Sequence, residues 1–205
     1  SVEFGKCYVE QAAWLNEAYQ RNYASLIIDK INLQDDDILI FSDVDEIIDS
    51  RNKDIIIEKV KKHGIVTGKL HFTMFYLNLF VQNWGGAPDY SYRTFIMTGE
   101  YYKKMNVTLD MLRKAGERGK LEGIVYCMDE FIGFHHSWLG DSDFVQNKIM
   151  AYAHTEHKQF NTKDYLNNCI KNGKSFIPNV ILEKDINVKL LNSIDINSNK
   201  EYLFE

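Results

Sequence analysis

Asp43, Asp45 and Glu46 stand within four positions, in the run Asp36-Asp37-Ile38-Leu39-Ile40-Phe41-Ser42-Asp43-Val44-Asp45-Glu46-Ile47-Ile48-Asp49. An apolar stretch rich in β-branched isoleucine that ends in a cluster of acids reads as a buried strand, Ile38 to Ser42, delivering carboxylates to its C-terminal edge. Open α/β sheets place their ligands at that edge. Asp43 and Asp45 are two apart, so in a regular strand both point to one side, and oxygen ligands suit Mg²⁺ or Mn²⁺ better than zinc. The chemistry this spacing suggests is a metal-diphosphate site; the plainer reading is an ordinary acidic turn.

A second dense segment is Tyr126-Cys127-Met128-Asp129-Glu130-Phe131-Ile132-Gly133-Phe134-His135-His136-Ser137-Trp138. Two acids followed closely by adjacent histidines favour a site over satisfied structural residues. In an extended backbone His135 and His136 point to opposite faces, so at most one of them faces a cleft.

The elements that must position these groups are read from periodicity. Near-helical spacing of apolar residues predicts a helix from Val9 to Ile31. Arg21 on it is either a contact to a phosphate or to the acids, or a solvated face charge. A short amphipathic helix is expected over Lys53 to His63, stopped by Gly64, and then a strand from Ile65 to about Thr67. Lys69 to Val81 alternates enough to suggest a further strand with one wet face, and Gly85, Gly86 and Pro88 mark a loop. Tyr92 to Met97 is expected as a strand carrying Arg93 as a candidate anion contact. Tyr101 to Lys120 reads as a charged, barely helical surface excursion. Helices follow over Asp143 to His157, with Lys148, His154 and Glu156 on it, and over Thr162 to Asn172, ended by Gly173. From Ile181 onward the pattern specifies little.

Composition bounds the function. At 205 residues, 45% hydrophobic and 26% charged, the chain is expected to form one globular domain around a sizeable core. A net charge of −5 argues against a nucleic-acid partner, which calls for a basic face. Cys7, Cys127 and Cys169 are odd in number and far apart, matching neither a disulfide framework nor a zinc pattern, so reduced thiols and a cytoplasmic location, at most at a membrane surface, are expected. No apolar run is long enough to span a bilayer, and the first residues are not a signal peptide.

Taken together, the motifs resemble glycosyltransferase family 17, the family of β-1,4-mannosyl-glycoprotein 4-β-N-acetylglucosaminyltransferase. The resemblance runs through Glu17 with Gln20-Arg21-Asn22, then Asp36-Asp37 leading to Ser42-Asp43-Val44-Asp45-Glu46-Ile47. It resumes at Gly133-Phe134-His135-His136-Ser137-Trp138, and at Lys148 followed by Ala153-His154 and Glu156. It covers roughly residues 10 to 175. Phe134 stands where the family usually has Trp, and Ile48 where Pro often follows.

The resemblance implies an α/β chain with a GT-A-like nucleotide-diphospho-sugar transferase fold and a mixed central sheet. With 42 residues before Asp43, part of the N-terminal half of that fold is expected to be missing, as in a C-terminal fragment. It implies inverting transfer of a sugar, N-acetylglucosamine from UDP-N-acetylglucosamine, to a hydroxyl of a glycan acceptor. Mn²⁺ or Mg²⁺ would be held by Asp43 and Asp45, with His135 as third ligand or diphosphate contact and Glu46 supporting them. Arg21, Arg93 and Lys148 are expected on the donor, and Asp129 or Glu130 as the base that takes the acceptor proton. Two rivals remain. A haloacid-dehalogenase-like phosphatase shares a strand ending in Asp-x-Asp, but Ile47 stands where Thr or Val is wanted and no apolar strand precedes Gly140. An inactive transferase remnant or sugar-binding module is the non-enzymatic alternative.

Overall fold

The computed structural model describes residues 2–84, 90–151, 155–160, 162–195 and 197–205, with the backbone alone for 2–11, 84, 90–91, 155–156 and 160. The loop expected after Trp84 and the Ala153-His154 part of the last motif lie outside the described residues, as does the side chain of Glu156.

The chain is mixed α/β. In order it forms α1 (Val2–Ile28), β1 (Ile38–Phe41), β2 (Glu46–Ile48), α2 (Lys53–His63), β3 (Ile65–Met74), β4 (Leu79–Trp84), β5 (Tyr90–Ser91), β6 (Phe95–Thr98), α3 (Gly99–Lys104), α4 (Leu109–Glu117), β7 (Tyr126–Ser137), α5 (Ser142–Ala151), α6 (Lys163–Lys171) and β8 (Val180–Lys184). These elements group into two compact units. The first comprises Ser1–Asp43, Arg51–Lys69 and Tyr92–Phe131, and the second Val44–Ser50, Leu70–Ser91 and Ile132–Glu205. No helix among the described residues is long and apolar enough to cross a membrane.

In the first unit β6 lies between β1 and the start of β3, antiparallel to both, with Ile40 opposite Ile96 and Val66 opposite Ile96 on the other side. β1 is therefore an end strand, not the interior one its four apolar residues predict. Leu39 and Phe41 pack on the core beside Ile65, Phe95 and Met97, whereas Ile40 between them is 58% exposed. A period of two with apolar residues on both faces cannot distinguish a buried strand from an edge strand that is wet on one side.

α2 has the bounds its pattern predicts. Its last turn carries Lys61, Lys62 and His63 next to the helix's negative end, and Gly64, at φ 79°, returns its amide to the Val60 carbonyl. The segment read as a charged excursion is instead two helices. Thr98 and Thr108 accept hydrogen bonds from the amides of Tyr101 and Met111 and so cap α3 and α4. Leu109 and Leu112 bury one side of α4 against Phe95 and Met97. The high charge of the segment belongs to the other faces of these short helices, which is why composition alone hid them.

In the second unit the end of β3 pairs with β4 and β5, and β4 pairs along its length with β8. The two strands expected over 65–81 are thus one ten-residue strand, a turn and a second strand. Phe72, Met74, Phe75, Leu79 and Val81 from this hairpin form a core with Val145 and Ile149 of α5, Leu166 and Cys169 of α6, Trp138 and Phe176. The tail, which the pattern left open, contributes β8 and then Leu191, packed on Phe80 and Phe134. Among the described residues Cys127 and Cys169 are free thiols.

Candidate functional site

Asp43 and Asp45 do not share a strand face. β1 ends at Phe41, residues 42 to 45 form a loop and turn, and the two acids fall in different units. Each is built into its own cluster.

In the first unit Asp43 receives a hydrogen bond of 2.6 Å from Arg113 Nη2, with Arg21 Nη2 3.7 Å away. Arg113 is 2% exposed and spends its other donors nearby, Nε on Glu117 at 3.0 Å and Nη1 on the Arg93 carbonyl at 3.2 Å. Arg21 also pairs with Glu17, one turn earlier on α1, and reaches Asp110 Oδ1 at 3.4 Å. Asp110 in turn holds Lys114 at 2.6 Å and takes an ordering contact from the Asn22 amide oxygen, which accepts from its backbone N–H at 3.0 Å. The reading of Arg21 as a contact to the acids is met here. Arg93 enters this cluster through its carbonyl. Asp110, Arg113 and Glu117 were missed in the sequence because α4 was missed; their spacing of three, four and seven places them on one helical face, and Thr108 in front of Leu109 was the available signal.

In the second unit Asp45 stands at the entry to β2, which pairs antiparallel with the end of β7: Glu46 faces His135, Ile47 faces Phe134 and Ile48 faces Gly133. The ladder continues at both ends, His136 N donating to Asp45 O at 2.9 Å and Asp49 N to Ile132 O at 2.8 Å. Gly133 is what permits this close pairing, since a Cβ there would sit 2.2 Å from the Ile47 carbonyl oxygen. The seating brings Asp45 Oδ1 to 3.5 Å from His135 Nε2, and Lys148 Nζ donates to Asp45 Oδ2 at 2.9 Å. Lys148 is aimed from α5, whose Val145 and Ile149 are buried on the core, and its ammonium lies 5.0 Å from the centre of the Trp138 ring. Trp138, where β7 ends, has φ 60°, unusual for a bulky residue.

The two histidines take opposite faces, as an extended backbone requires. His135 lies against Phe72, its ring centre 4.3 Å from the phenyl, on the side of Asp45; His136 stacks on Phe134 and has Nδ1 2.7 Å from Thr73 Oγ1. Glu46 and Asp49 are both buried. The carboxyl of Asp45 is held far below the ordinary carboxylate range: burial opposes its charge, but the hydrogen bond and charge of His135, then Lys148, outweigh that. Burial, with the charge of His135 adding to it and that of Asp45 opposing, pushes His136 down to about 4.

This depression sets a pH dependence. The folded ring binds its proton less readily than the unfolded ring, so between 6.5 and 4 the unfolded state holds more protons and stability falls as pH falls. The effect is at most about 3 kcal/mol. Urea midpoints of the wild type are expected to drop more steeply over that range than those of His136→Asn; parallel curves would show that His136 does not carry the dependence.

Asp129 and Glu130, the expected bases, lie on β7 in the first unit and are exposed. The Asp129 side chain is fully open to solvent with Lys69 3.9 Å away. Of the expected residues, then, Asp45, His135 and Lys148 come together in the second unit, and Asp43 and Arg21 come together in the first.

The metal set implied by the resemblance was Asp43, Asp45 and His135. Asp43 is engaged by Arg113, Asp45 by Lys148, and among the described residues no three His, Cys, Asp or Glu side chains stand together as a ligand group. Within the second unit Lys148 already balances Asp45 beside His135, so that pair as arranged does not fit a divalent cation. Comparison with protein-family models, curated proteins and solved structures finds no match to this chain.

Proposed function

We propose that this chain is an inverting glycosyltransferase with a GT-A-like fold, moving a sugar from a nucleotide diphosphate, UDP-N-acetylglucosamine in the first instance, to a hydroxyl of a glycan. The observation that supports it is the convergence of Asp45, His135 and Lys148. These residues come from three separate stretches of chain, each assigned to donor chemistry by its motif, and they meet on a scaffold whose register is set by β2 and β7. The buried Trp138 ring lies under the Lys148 ammonium, 5.0 Å from its centre, and helps to hold that cation in place.

In the reaction the bond between the sugar's anomeric carbon and the diphosphate oxygen breaks, its electron pair leaving with UDP. The acceptor oxygen bonds to the same carbon from the opposite face and passes its proton to a carboxylate acting as general base. The chain's part is to hold donor and acceptor in line and to place cationic groups where negative charge grows on the leaving diphosphate.

The second reading, a sugar-binding module or inactive remnant, draws on the exposure of Asp129 and Glu130, the expected bases. One assay separates the two. Incubation with UDP-N-acetylglucosamine and a mannose-containing N-glycan core is expected to release UDP and yield a β-linked product, the anomer required by inversion. Glycan binding without UDP release would leave the binding module as the function.

A further inference from the structure

We infer that the ammonium of Lys148 neutralises the diphosphate of the donor in the place where a divalent metal would otherwise sit, so that donor binding needs no metal ion; this rests on the transferase reading above. Lys148 is fixed from two sides, by Asp45 Oδ2 at 2.9 Å and by the Trp138 ring at 5.0 Å, and from below by the buried Val145 and Ile149 that seat α5. An ammonium has three N–H donors. Asp45 takes one, which leaves two for phosphate oxygens.

A divalent ion on Asp45 would have to share the carboxylate with this ammonium. At such separations two like charges repel strongly in a partly buried setting, and Asp45 and Lys148 are each about three-quarters buried along their side chains. His135 Nε2 lies 3.5 Å from the same acid, on Oδ1, and that acid is already balanced by a cation belonging to the chain. The remaining acid of the motif, Asp43, is engaged in the same way by Arg113. Both halves of the Asp-x-Asp motif thus serve to orient basic side chains.

Lys148 and the metal are then alternatives for one carboxylate, and removal of the ammonium should open the Asp45–His135 pair to metal. The test is calorimetric titration of the intact chain with UDP-N-acetylglucosamine and with UDP, in EDTA and in Mn²⁺. The wild type is expected to bind in EDTA, with an affinity changed by no more than about twofold in Mn²⁺. Lys148→Gln should weaken binding roughly tenfold or more in EDTA, Lys148→Arg should restore most of it, and Mn²⁺ alone should bind Lys148→Gln more tightly than the wild type. Donor binding by the wild type only in Mn²⁺, a comparison that needs no variant, would overturn the inference and leave the transferase reading standing. Unchanged binding by folded Lys148→Gln in EDTA would overturn it as well. Absence of binding by the wild type in both conditions would refute the transferase reading and the inference with it.

Discussion

Gly133→Ala is expected to cost the chain about 3 kcal/mol and to remove the geometry of the Asp45 cluster at the same time. The new Cβ would lie 2.2 Å from the Ile47 carbonyl oxygen and 3.0 Å from the Ile48 Cα, and both are backbone atoms of the strand paired with it. A long side chain could swing aside, but a paired strand can only move off its neighbour. Displacing β2 breaks the ladder that runs from Asp45 O through Glu46 and Ile48 to the Asp49 amide, and with it the approach of Asp45 to His135 and Lys148. Urea unfolding reads the first effect. The imidazole NMR shifts of His135 near neutral pH read the second, since its neighbour carboxylate would have moved. An unchanged midpoint with unchanged His135 shifts would show that β2 is not seated on β7 in solution as described.

Arg113→Met is expected to destabilise the chain by about 3 kcal/mol, the lower end of the range for breaking a buried ion pair. The guanidinium reaches Asp43, Glu117 and the Arg93 carbonyl in three directions while almost wholly removed from water. Methionine fills much of its volume but leaves these acceptors unsatisfied. The lower end applies because Asp43 and Glu117 keep about a third of their side-chain surface exposed, at 37% and 35%, so water can take over part of the lost bonding. Arg113→Lys should recover little, because a single ammonium on a flexible stem cannot meet the spread geometry of a planar fork. Chemical denaturation of the three proteins provides the measurement. A methionine variant as stable as the wild type would mean that the cost of burying the charge cancels its pairs, and that the Asp43 cluster does not hold α4 in place.

Both predictions concern residues whose importance is uneven in the sequence. Gly133 sits inside a motif that the spacing already singled out, although nothing in one chain says which backbone it must face. Arg113 lies in the segment read as a surface excursion, and its burial follows only once Leu109 and Leu112 are seen to pack inward.

By itself the sequence determined what local chemistry decides. The bounds of α2, the stop at Gly64, the helix α6 ahead of Gly173 and the opposed faces of His135 and His136 all follow from periodicity, capping and backbone conformation within a few residues. Only a resemblance of its motifs to a known family put Asp45, His135 and Lys148 forward together as donor-site candidates. Only the tertiary structure decided that β1 is an end strand with Ile40 facing outward and that one strand rather than two runs from Ile65 to Met74. It alone assigned each acid its cation, Arg113 to Asp43 and Lys148 to Asp45, across 70 and 103 residues of chain. The physical reason is range. Turn, cap and strand preferences act between neighbours, whereas an ion pair of this kind depends on which strands pair and in what register, a quantity that no short window of sequence contains.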